Sequence, residues 1–409
     1  MRRHCVTMKF NRTPVHYGRP QFAALQVHCE LIFAEAFINQ GLGFTVCIRY
    51  PIHIDREPIS LVITGSTGDI DMMKRILLTV AAIGLLAGAV TAQAATKIRL
   101  TLDWVPQSTH GPSFIALYEG YFKKEGLDVK IDAGKGSADA VRKLVAGTHD
   151  LGWADINAII QYNAKNPKRA IKTVMMLYEQ PPFSVCVLAK SPVTRPQMLA
   201  GKTLGAPVFD ASYKLFPAFA KAIGINPDSV KKLNMDPRLR EAMLLRGEVD
   251  AISGHIFSTV LAVKAAGYKE KDIRCFLYGN YGMESYANGI AVSPAFLKKH
   301  PDAVRGFIRA TIKAARDTVL NPKLAVAAVR KYQPLVDDAV EADRLRLGVS
   351  CCILTPWVRK NGYGDVDMAR LQRSIGQAAS AYGLKNIPKA ADMFDRSYLP
   401  PKAQRFIHK

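Results

Sequence analysis

Aromatic and ionisable side chains follow the apolar runs that predict buried strands in this sequence. Trp104 and His110 follow Ile98–Leu102, and Asp155 follows Leu151–Trp153. In an open α/β sheet, ligands bind in the crevice outside the carboxyl ends of the strands. An indole there can stack on a flat solute, an imidazole can donate a hydrogen bond, and a carboxylate can accept one from an amine. The pattern therefore predicts a small-molecule site.

Each of these residues also has a structural alternative. Trp104 could pack in the core, and His110 could cap the following helix or bond to the backbone. Asp155 suits the N-cap of a helix as well as it suits a ligand amine. The run Gly134–Asp139 offers backbone N–H groups to an anion, although a tight turn is the commoner meaning of such a sequence.

The second half of the chain supplies further candidates. Asp210, Ser212 and Tyr213 lie between a predicted strand and a predicted helix, so we expect them to face the same crevice. Glu284 could accept from an amino group of a ligand, with Tyr286 as a wall, or both could belong to a solvated hinge.

Strand-like and helical segments alternate from residue 95 onward, which predicts an α/β fold with mostly parallel sheets flanked by helices. The pattern restarts after Ser191-Pro192, as if a second α/β unit were inserted in the first. We expect residues 95–184 and 288–409 to form one lobe and residues 185–287 the other. Pro182–Ala189 and Glu284–Ala291 would cross between them, and a cleft between two such lobes is a preferred ligand site.

A secretory signal is predicted at residues 73–94. Met73-Lys-Arg precedes an apolar stretch that ends in Ala92-Gln-Ala94, an A-x-A cleavage pattern. The expected mature protein is therefore periplasmic and begins at Ala95. Since signals start a chain, we expect residues 1–72 to be a spurious upstream extension, the alternative being a genuine extension that leaves the signal internal.

The chain is strongly basic, with a formal net charge of +22. A nucleic-acid partner is not expected, because the Lys and Arg residues are scattered along predicted helices and no basic run is interleaved with stacking aromatics. Four cysteines follow the signal, namely Cys186, Cys275, Cys351 and Cys352. We interpret them as small core residues, and one disulfide stays possible without a pairing that the sequence can give.

An ordered set of short motifs resembles the type II periplasmic solute-binding proteins of ABC importers, in the group that binds thiamine pyrimidines, riboflavin, taurine, nitrate and sulfonates. The set comprises Leu102-Asp-Trp-Val-Pro with His110, Gly120-Tyr-Phe with Gly126-Leu-Asp-Val, Leu144-Val-Ala-Gly147 with Asp150-Leu-Gly-Trp-Ala-Asp155, Leu199-Ala-Gly-Lys-Thr-Leu-Gly205, Arg246-Gly-Glu-Val-Asp-Ala251 and Ser397-Tyr-Leu-Pro400. The resemblance implies the two-lobe type II periplasmic binding protein fold. It implies a monomer that captures a small heteroaromatic solute, similar to a thiamine-pyrimidine precursor, and delivers it to an inner-membrane ABC permease.

Alternatives remain open within and beyond this resemblance. The ligand could be a sulfonate, taurine or nitrate-like anion, or the protein could be a ligand-sensing adaptor. Fungal pyrimidine synthases are similar as well, but they use a pyridoxal phosphate lysine and a reacting histidine in a segment where this chain has Ala154 and Ala158. We therefore expect no enzyme, no cofactor and no metal.

Overall fold

The computed structural model describes residues 33–39, 43–54, 57–65 and 95–408. The chain divides into two compact units, Met1–Ala92 and Gln93–Lys409. In the first unit, three antiparallel strands form a sheet in the order β1-β2-β3, and their bounds are Phe33–Asn39, Gly43–Ile54 and Glu57–Gly65. The sequence had predicted no element there. The predicted signal peptide, residues 73–94, lies outside the described residues.

The second unit contains two five-stranded sheets. The first has the order β5-β4-β6-β13-β7. Its strands are β4 (Thr96–Thr101), β5 (Leu127–Asp132), β6 (Leu151–Asp155), β7 (Lys172–Met176) and β13 (Asn288–Val292). Strand β13 is antiparallel to both of its neighbours, so the other four strands run in one direction.

The second sheet repeats this plan in the order β10-β9-β11-β8-β12. Its strands are β8 (Phe183–Leu188), β9 (Thr203–Ala206), β10 (Lys231–Asn234), β11 (Ala251–His255) and β12 (Ile273–Leu277). Here β8 is the antiparallel strand. Each sheet is thus mostly parallel with one antiparallel strand. Strand β8 is the first strand after the chain enters the second sheet, and β13 is the first strand after it returns to the first sheet.

Helices cover both sheets, as the alternating sequence pattern predicted. They are α1 (Gly111–Tyr118), α2 (Tyr121–Lys124), α3 (Ser137–Val145), α4 (Ile156–Lys165), α5 (Ala211–Ala222), α6 (Arg240–Arg246), α7 (Ile256–Ala265), α8 (Pro294–Lys299), α9 (Pro301–Leu320), α10 (Pro322–Tyr332), α11 (Asp338–Gly348), α12 (Pro356–Asn361), α13 (Met368–Tyr382) and α14 (Ala390–Met393). None of the helices in the described part of the chain is long and apolar enough to cross a membrane.

Burial in the strands follows their place in the sheets. All five residues of β6, a central strand, are buried, as expected for a strand with helices on both faces. Strand β5 lies at an edge and alternates, with Leu127, Val129 and Ile131 turned to the core. Strand β10, at the edge of the second sheet, is exposed throughout and carries two lysines, which discourage pairing with another chain.

Two sequence predictions are corrected by the observed elements. The amphipathic pattern of residues 294–320 predicts one long helix, but the structure has two, because the backbone leaves the helical conformation at His300 and Pro301 begins the second helix. The predicted crossings are also displaced. Most of Pro182–Ala189 is strand β8 and Asn288–Ala291 belongs to β13, so the chain passes between the sheets at residues 177–182 and 278–287.

The four cysteines of the second unit are paired, whereas the sequence favoured reduced core residues. Cys186 and Cys275 join β8 to β12 across facing positions of the second sheet. Cys351 and Cys352 pair with each other in the π-helical turn Val349–Ile353 that follows α11. The Cys186–Cys275 pairing depends on a strand register that local sequence does not specify.

Candidate functional site

The candidate site is a cavity between the two sheets, with about 660 Å³ of empty space including its open mouth. Its walls come from the segments that follow the carboxyl ends of β4, β5 and β7 in the first sheet and of β9, β10 and β11 in the second. The lining comprises Asp103, Trp104, Gln107, Thr109, His110, Gly136, Ser137, Tyr178, Phe209, Asp210, Ala211, Arg240, His255, Phe257 and Ser258. The predicted residues Trp104, His110 and Asp210 are therefore brought together here.

His110 lines the cavity with both ring nitrogens already occupied. The Gln107 backbone N–H donates to Nδ1 over 3.1 Å, so Nε2 carries the proton and donates to Asp103 Oδ1 over 3.0 Å. The ring also meets Trp153 edge-on. Of the alternatives that the sequence left open, the geometry matches the backbone-bonded histidine.

Asp103 is the acceptor at the centre of this corner. Its second oxygen, Oδ2, accepts from Asn288 Nδ2 over 2.6 Å, so both oxygens are paired although the residue is buried. Burial raises the pKa of Asp103, but the hydrogen bonds from His110 and Asn288 work against that effect, and the pKa lies below its ordinary value of 3.8. A carboxylate thus persists at the floor of the cavity.

Trp104 is partly buried at the mouth, in a loop held by its own backbone. The Gly134 N–H donates to the Trp104 carbonyl over 3.0 Å, and the Gly136 N–H donates to the Asp103 carbonyl over 2.6 Å. A Cβ at Gly134 would lie 1.9 Å from the Leu102 carbonyl oxygen, so only glycine permits this approach. These N–H groups are consumed, which favours the tight turn over an anion-binding loop.

Phe209 reaches the cavity from the second sheet and approaches the loop of the first. A Cβ built on Gly136 would lie 3.5 Å from Phe209 Cδ2. Phe209 is 39% exposed, so its ring, like that of Trp104, has a free surface. Two partly exposed aromatic side chains, one from each sheet, therefore line the cavity.

An ion-pair cluster forms the second-sheet wall. The Arg240 guanidinium donates to Glu241 Oε1 through Nε (2.9 Å) and Nη2 (2.6 Å), and its Nη1 donates to the Ser253 carbonyl (3.2 Å). Asp210 Oδ2 lies 3.8 Å from the same Nη1. Gly254 makes room for the guanidinium, since a Cβ there would meet Nη1 at 2.4 Å.

His255 ends strand β11 beside this cluster. Its ring packs against Phe183 and Phe257, and no side chain in the described part of the chain hydrogen-bonds to it. Burial lowers the pKa of His255, so the neutral imidazole prevails near neutral pH and can both donate and accept.

Asp155 lies behind the lining, not in it. Its Oδ1 caps α4 by accepting from the Asn157 N–H over 2.7 Å, and its own N–H donates to Oγ of Ser137, a lining residue. Oδ2 is buried and has no partner among the described residues. Burial raises the pKa of Asp155 to about 7. The geometry thus fits the N-cap interpretation, and Ser137, not Asp155, lines the cavity at this point.

Ser212 and Tyr213 also lie outside the lining, on the first turn of α5. Ser212 is buried, and its carbonyl accepts from the Tyr278 hydroxyl over 2.9 Å. Tyr213 is partly buried, and its N–H donates to Asp210 Oδ1 over 3.0 Å. Asp210 therefore combines the N-cap of α5 with a place in the cavity wall.

Glu284 and Tyr286 are placed at the second passage between the sheets, away from the cavity lining. Glu284 pairs with Arg373, with Oε2 and Nη2 2.7 Å apart. Tyr286 is buried beneath Arg370, and its hydroxyl accepts from the Asp367 N–H over 2.9 Å. The expectation that the two residues face the cavity is therefore wrong. Both contact arginines of α13, which lies more than 80 residues later in the chain.

Several lining residues were not among the sequence candidates: Asp103, Tyr178, Arg240, His255 and Phe257. His255 could have been found, because β11 and α7 repeat the plan of β6 and α4, with His255 at the position of Asp155. Arg240 had no such signal, since a helical arginine is ordinarily solvated.

The NMT1/THI5-like family model matches residues 107–325, which include most of the lining. The chain belongs to the NMT1/THI5-like family. Among similar proteins of known name are the riboflavin-binding protein RibY of Chloroflexus aurantiacus (26% identical, covering 58% of this chain and 67% of RibY) and the formylaminopyrimidine-binding protein of Halalkalibacterium halodurans (25%, 61% and 76%). The chain is also similar to a 4-amino-5-hydroxymethyl-2-methylpyrimidine phosphate synthase of Legionella pneumophila, which is 22% identical over 58% of this chain and 74% of its own.

Solved structures place the NMT1/THI5-like chain in the periplasmic binding protein fold. The aliphatic sulphonate binding protein SsuA of Escherichia coli superposes with a TM-score of 0.57 at 15% identity, over 76% of this chain and 97% of SsuA. The two-lobe α/β architecture expected from the motifs is thereby confirmed.

Proposed function

We propose that this protein is the extracytoplasmic binding component of an ABC importer and that its two lobes close on a small heteroaromatic solute of the thiamine-pyrimidine type. The observation that carries the proposal is that Trp104 from the first sheet and Phe209 from the second line one cavity together with the carboxylate of Asp103. A flat ring that stacks on an aromatic side chain gains about 0.5–1.5 kcal/mol per aromatic pair beyond area burial.

The charges of the lining favour a nitrogen heterocycle over an anion. Asp103 and Asp210 contribute two carboxylates, whereas the one cation in the lining, Arg240, already gives two donors to Glu241. Carboxylates accept from amino groups and repel sulfonates. The names of the formylaminopyrimidine- and riboflavin-binding relatives agree with this preference.

A synthase activity is not part of the proposal. The described lining contains no lysine, and pyridoxal phosphate chemistry needs one for its Schiff base. Both nitrogens of His110 are engaged by protein groups, so this histidine is held as a structural element. His255 has free ring nitrogens and suits hydrogen bonding to a ring nitrogen of the solute.

Thermal-shift measurements test the ligand class. The purified protein would be melted with formylaminopyrimidine, riboflavin, taurine and an alkanesulfonate, because a ligand at 100 times its Kd stabilises the folded state by about 2.7 kcal/mol. We expect formylaminopyrimidine to raise Tm in the parent protein but not in Trp104→Ala. A rise with the sulfonate and none with the pyrimidine would assign the site to anions.

Val105→Ala provides the matched control. Val105 adjoins Trp104 and is 49% exposed, but it is absent from the lining. We expect Trp104→Ala to weaken binding by about tenfold or more and Val105→Ala to leave the Kd unchanged. Equal Kd values for both variants and the parent would contradict the stacking role of Trp104.

The location and partners are proposals of the same kind. N-terminal sequencing of the protein recovered from the periplasm checks export, with Ala95 expected as the first residue. A monomer is expected by light scattering, and cross-linking in membranes should capture a permease.

A further inference from the structure

Arg370 on α13 contacts both passages of the chain between the two sheets. In the first passage it pairs with the Glu179 carboxylate through Nη1, and Nη2 donates to the Glu179 carbonyl over 3.1 Å. In the second, Nε donates to the Glu284 carbonyl over 3.1 Å and Nη2 to the Ser285 carbonyl over 3.2 Å. Its guanidinium also lies over the Tyr286 ring, 4.2 Å from the centroid.

These contacts satisfy backbone groups that no strand supplies with donors. The two passages, residues 177–182 and 278–287, lie between strands, yet their carbonyls are partly buried and need hydrogen bonds. A guanidinium presents five N–H donors in one plane, so a single side chain can serve three carbonyls and a carboxylate. Arg370 is itself mostly buried, with 19% of its side chain exposed.

We infer that Arg370 is a positioning residue of the hinge, which ties both passages to α13 and so fixes the angle between the lobes. The inference rests on the proposed function in one respect, namely that lobe closure accompanies solute binding. Hinges move by φ/ψ changes in a few residues between domains, and such changes rotate the carbonyls that Arg370 holds. The residue therefore stabilises one hinge geometry without touching the solute.

Replacement by lysine separates hinge positioning from general folding. Arg370→Lys keeps a positive charge beside Glu179 but loses the planar set of donors. In the full protein without solute, we expect amide hydrogen exchange to accelerate by about tenfold or more at residues 177–182 and 278–287, while amides of β6 and β11 stay protected. Small-angle scattering should show a larger radius of gyration, because the lobes sample wider angles.

Arg373→Lys is the matched control. Arg373 lies one turn further along α13 and pairs with the exposed Glu284 carboxylate, but it binds no carbonyl of either passage. We expect exchange in both passages to match the parent. If Arg370→Lys folds poorly, Arg370→Met with Glu179→Gln removes both members of the buried pair and leaves no unpaired charge.

Unchanged exchange in the passages, or equal acceleration in both sheets, would overturn the inference. The first result would show that Arg370 is dispensable to the hinge, and the second that it only supports the fold. Both measurements are made without solute, so they stand apart from the thermal-shift screen. If no tested pyrimidine raises Tm but hydrogen exchange in both passages is faster in Arg370→Lys, the proposed ligand class is rejected and the hinge assignment stands.

Discussion

Asp103 accepts a hydrogen bond from His110 Nε2 over 3.0 Å, and this buried pair sets the chemistry of the cavity floor. The same kind of aspartate–histidine hydrogen bond joins Asp132 to His149, whose Nε2 lies 3.0 Å from the carboxylate, near the surface of the first sheet. The two pairs differ in burial, since the side chain of Asp103 is 10% exposed and that of Asp132 is 26% exposed.

The first prediction concerns the replacement of Asp103 by asparagine. His110 and Asn288 donate to different oxygens of Asp103, and asparagine has only one oxygen, so one buried donor would face the new NH₂ group. We expect Asp103→Asn to lower the free energy of unfolding by about 1–3 kcal/mol. Urea unfolding measures this. Asp132→Asn, the exposed counterpart, should cost less than about 1 kcal/mol, and equal costs would contradict the role of burial.

The second prediction is a pH dependence of stability from Asp155. Burial raises its folded-state pKa from 3.8 to about 7. The folded protein therefore keeps a proton that the unfolded chain loses, so the stabilisation is fully present below pH 3.8 and is lost as the pH rises to about 7. The loss from this group is on the order of 4 kcal/mol, and it should appear as a declining free energy of unfolding across that window.

Asp155→Asn checks the assignment. Asparagine caps helices about as well as aspartate does, but it does not titrate, so the variant should show a smaller decline between pH 4 and 7. Asp337→Asn is the control, because Asp337 caps α11 in the same way from an exposed position. Parallel pH profiles for the parent and Asp155→Asn would show that another group causes the decline.

The sequence predicted helices and strands well where the spacing of apolar residues distinguishes them. It predicted cavity residues only where their side chains follow a strand directly. Trp104 and Asp210 line the cavity as expected because a strand end fixes where the next residues go, and their contact with a ligand stays a prediction. Glu284 and Tyr286 were misplaced because the path of a passage depends on Arg370 and Arg373, which are distant in sequence. Local patterns carry no record of such long-range pairs.

Arg240 shows the same limit in the second sheet. It lies in the cavity wall because Gly254 leaves space above β11, a relationship between two elements that spacing alone does not reveal. The third prediction follows from this pair. In Gly254→Ala, the new Cβ would meet Nη1 of Arg240, the flexible end of the side chain, so the guanidinium should shift and lose its bond to the Ser253 carbonyl.

We expect Gly254→Ala to keep the fold and to weaken solute binding by about fivefold or more, since a displaced guanidinium alters the charge of the wall. Calorimetric titration with formylaminopyrimidine and a melting curve measure the two effects. Gly376→Ala is the control, because nothing lies within 4 Å of a Cβ there and Gly376 lies on α13, outside the cavity lining and both passages. A lower Tm with an unchanged Kd would place the strain in the fold and not in the cavity.

The fourth prediction separates the two disulfides by the loops that they close. Cys186–Cys275 spans 89 residues, whereas Cys351–Cys352 joins neighbours. A crosslink stabilises mainly by restricting the unfolded chain, and the effect grows with loop length. We expect Cys186→Ser with Cys275→Ser to lower the free energy of unfolding by about 2–4 kcal/mol. The double variant Cys351→Ser with Cys352→Ser should lower the free energy of unfolding much less, because it releases no loop.

Urea unfolding of the parent and the two double variants, with and without dithiothreitol, measures these differences. The reductant should lower the free energy of unfolding of the parent by about as much as the substitutions at Cys186 and Cys275 do. If the vicinal pair proves the costlier, its contribution lies in the packing of the turn Val349–Ile353 against the first passage, where the Cys352 carbonyl accepts from the Glu179 N–H over 2.9 Å.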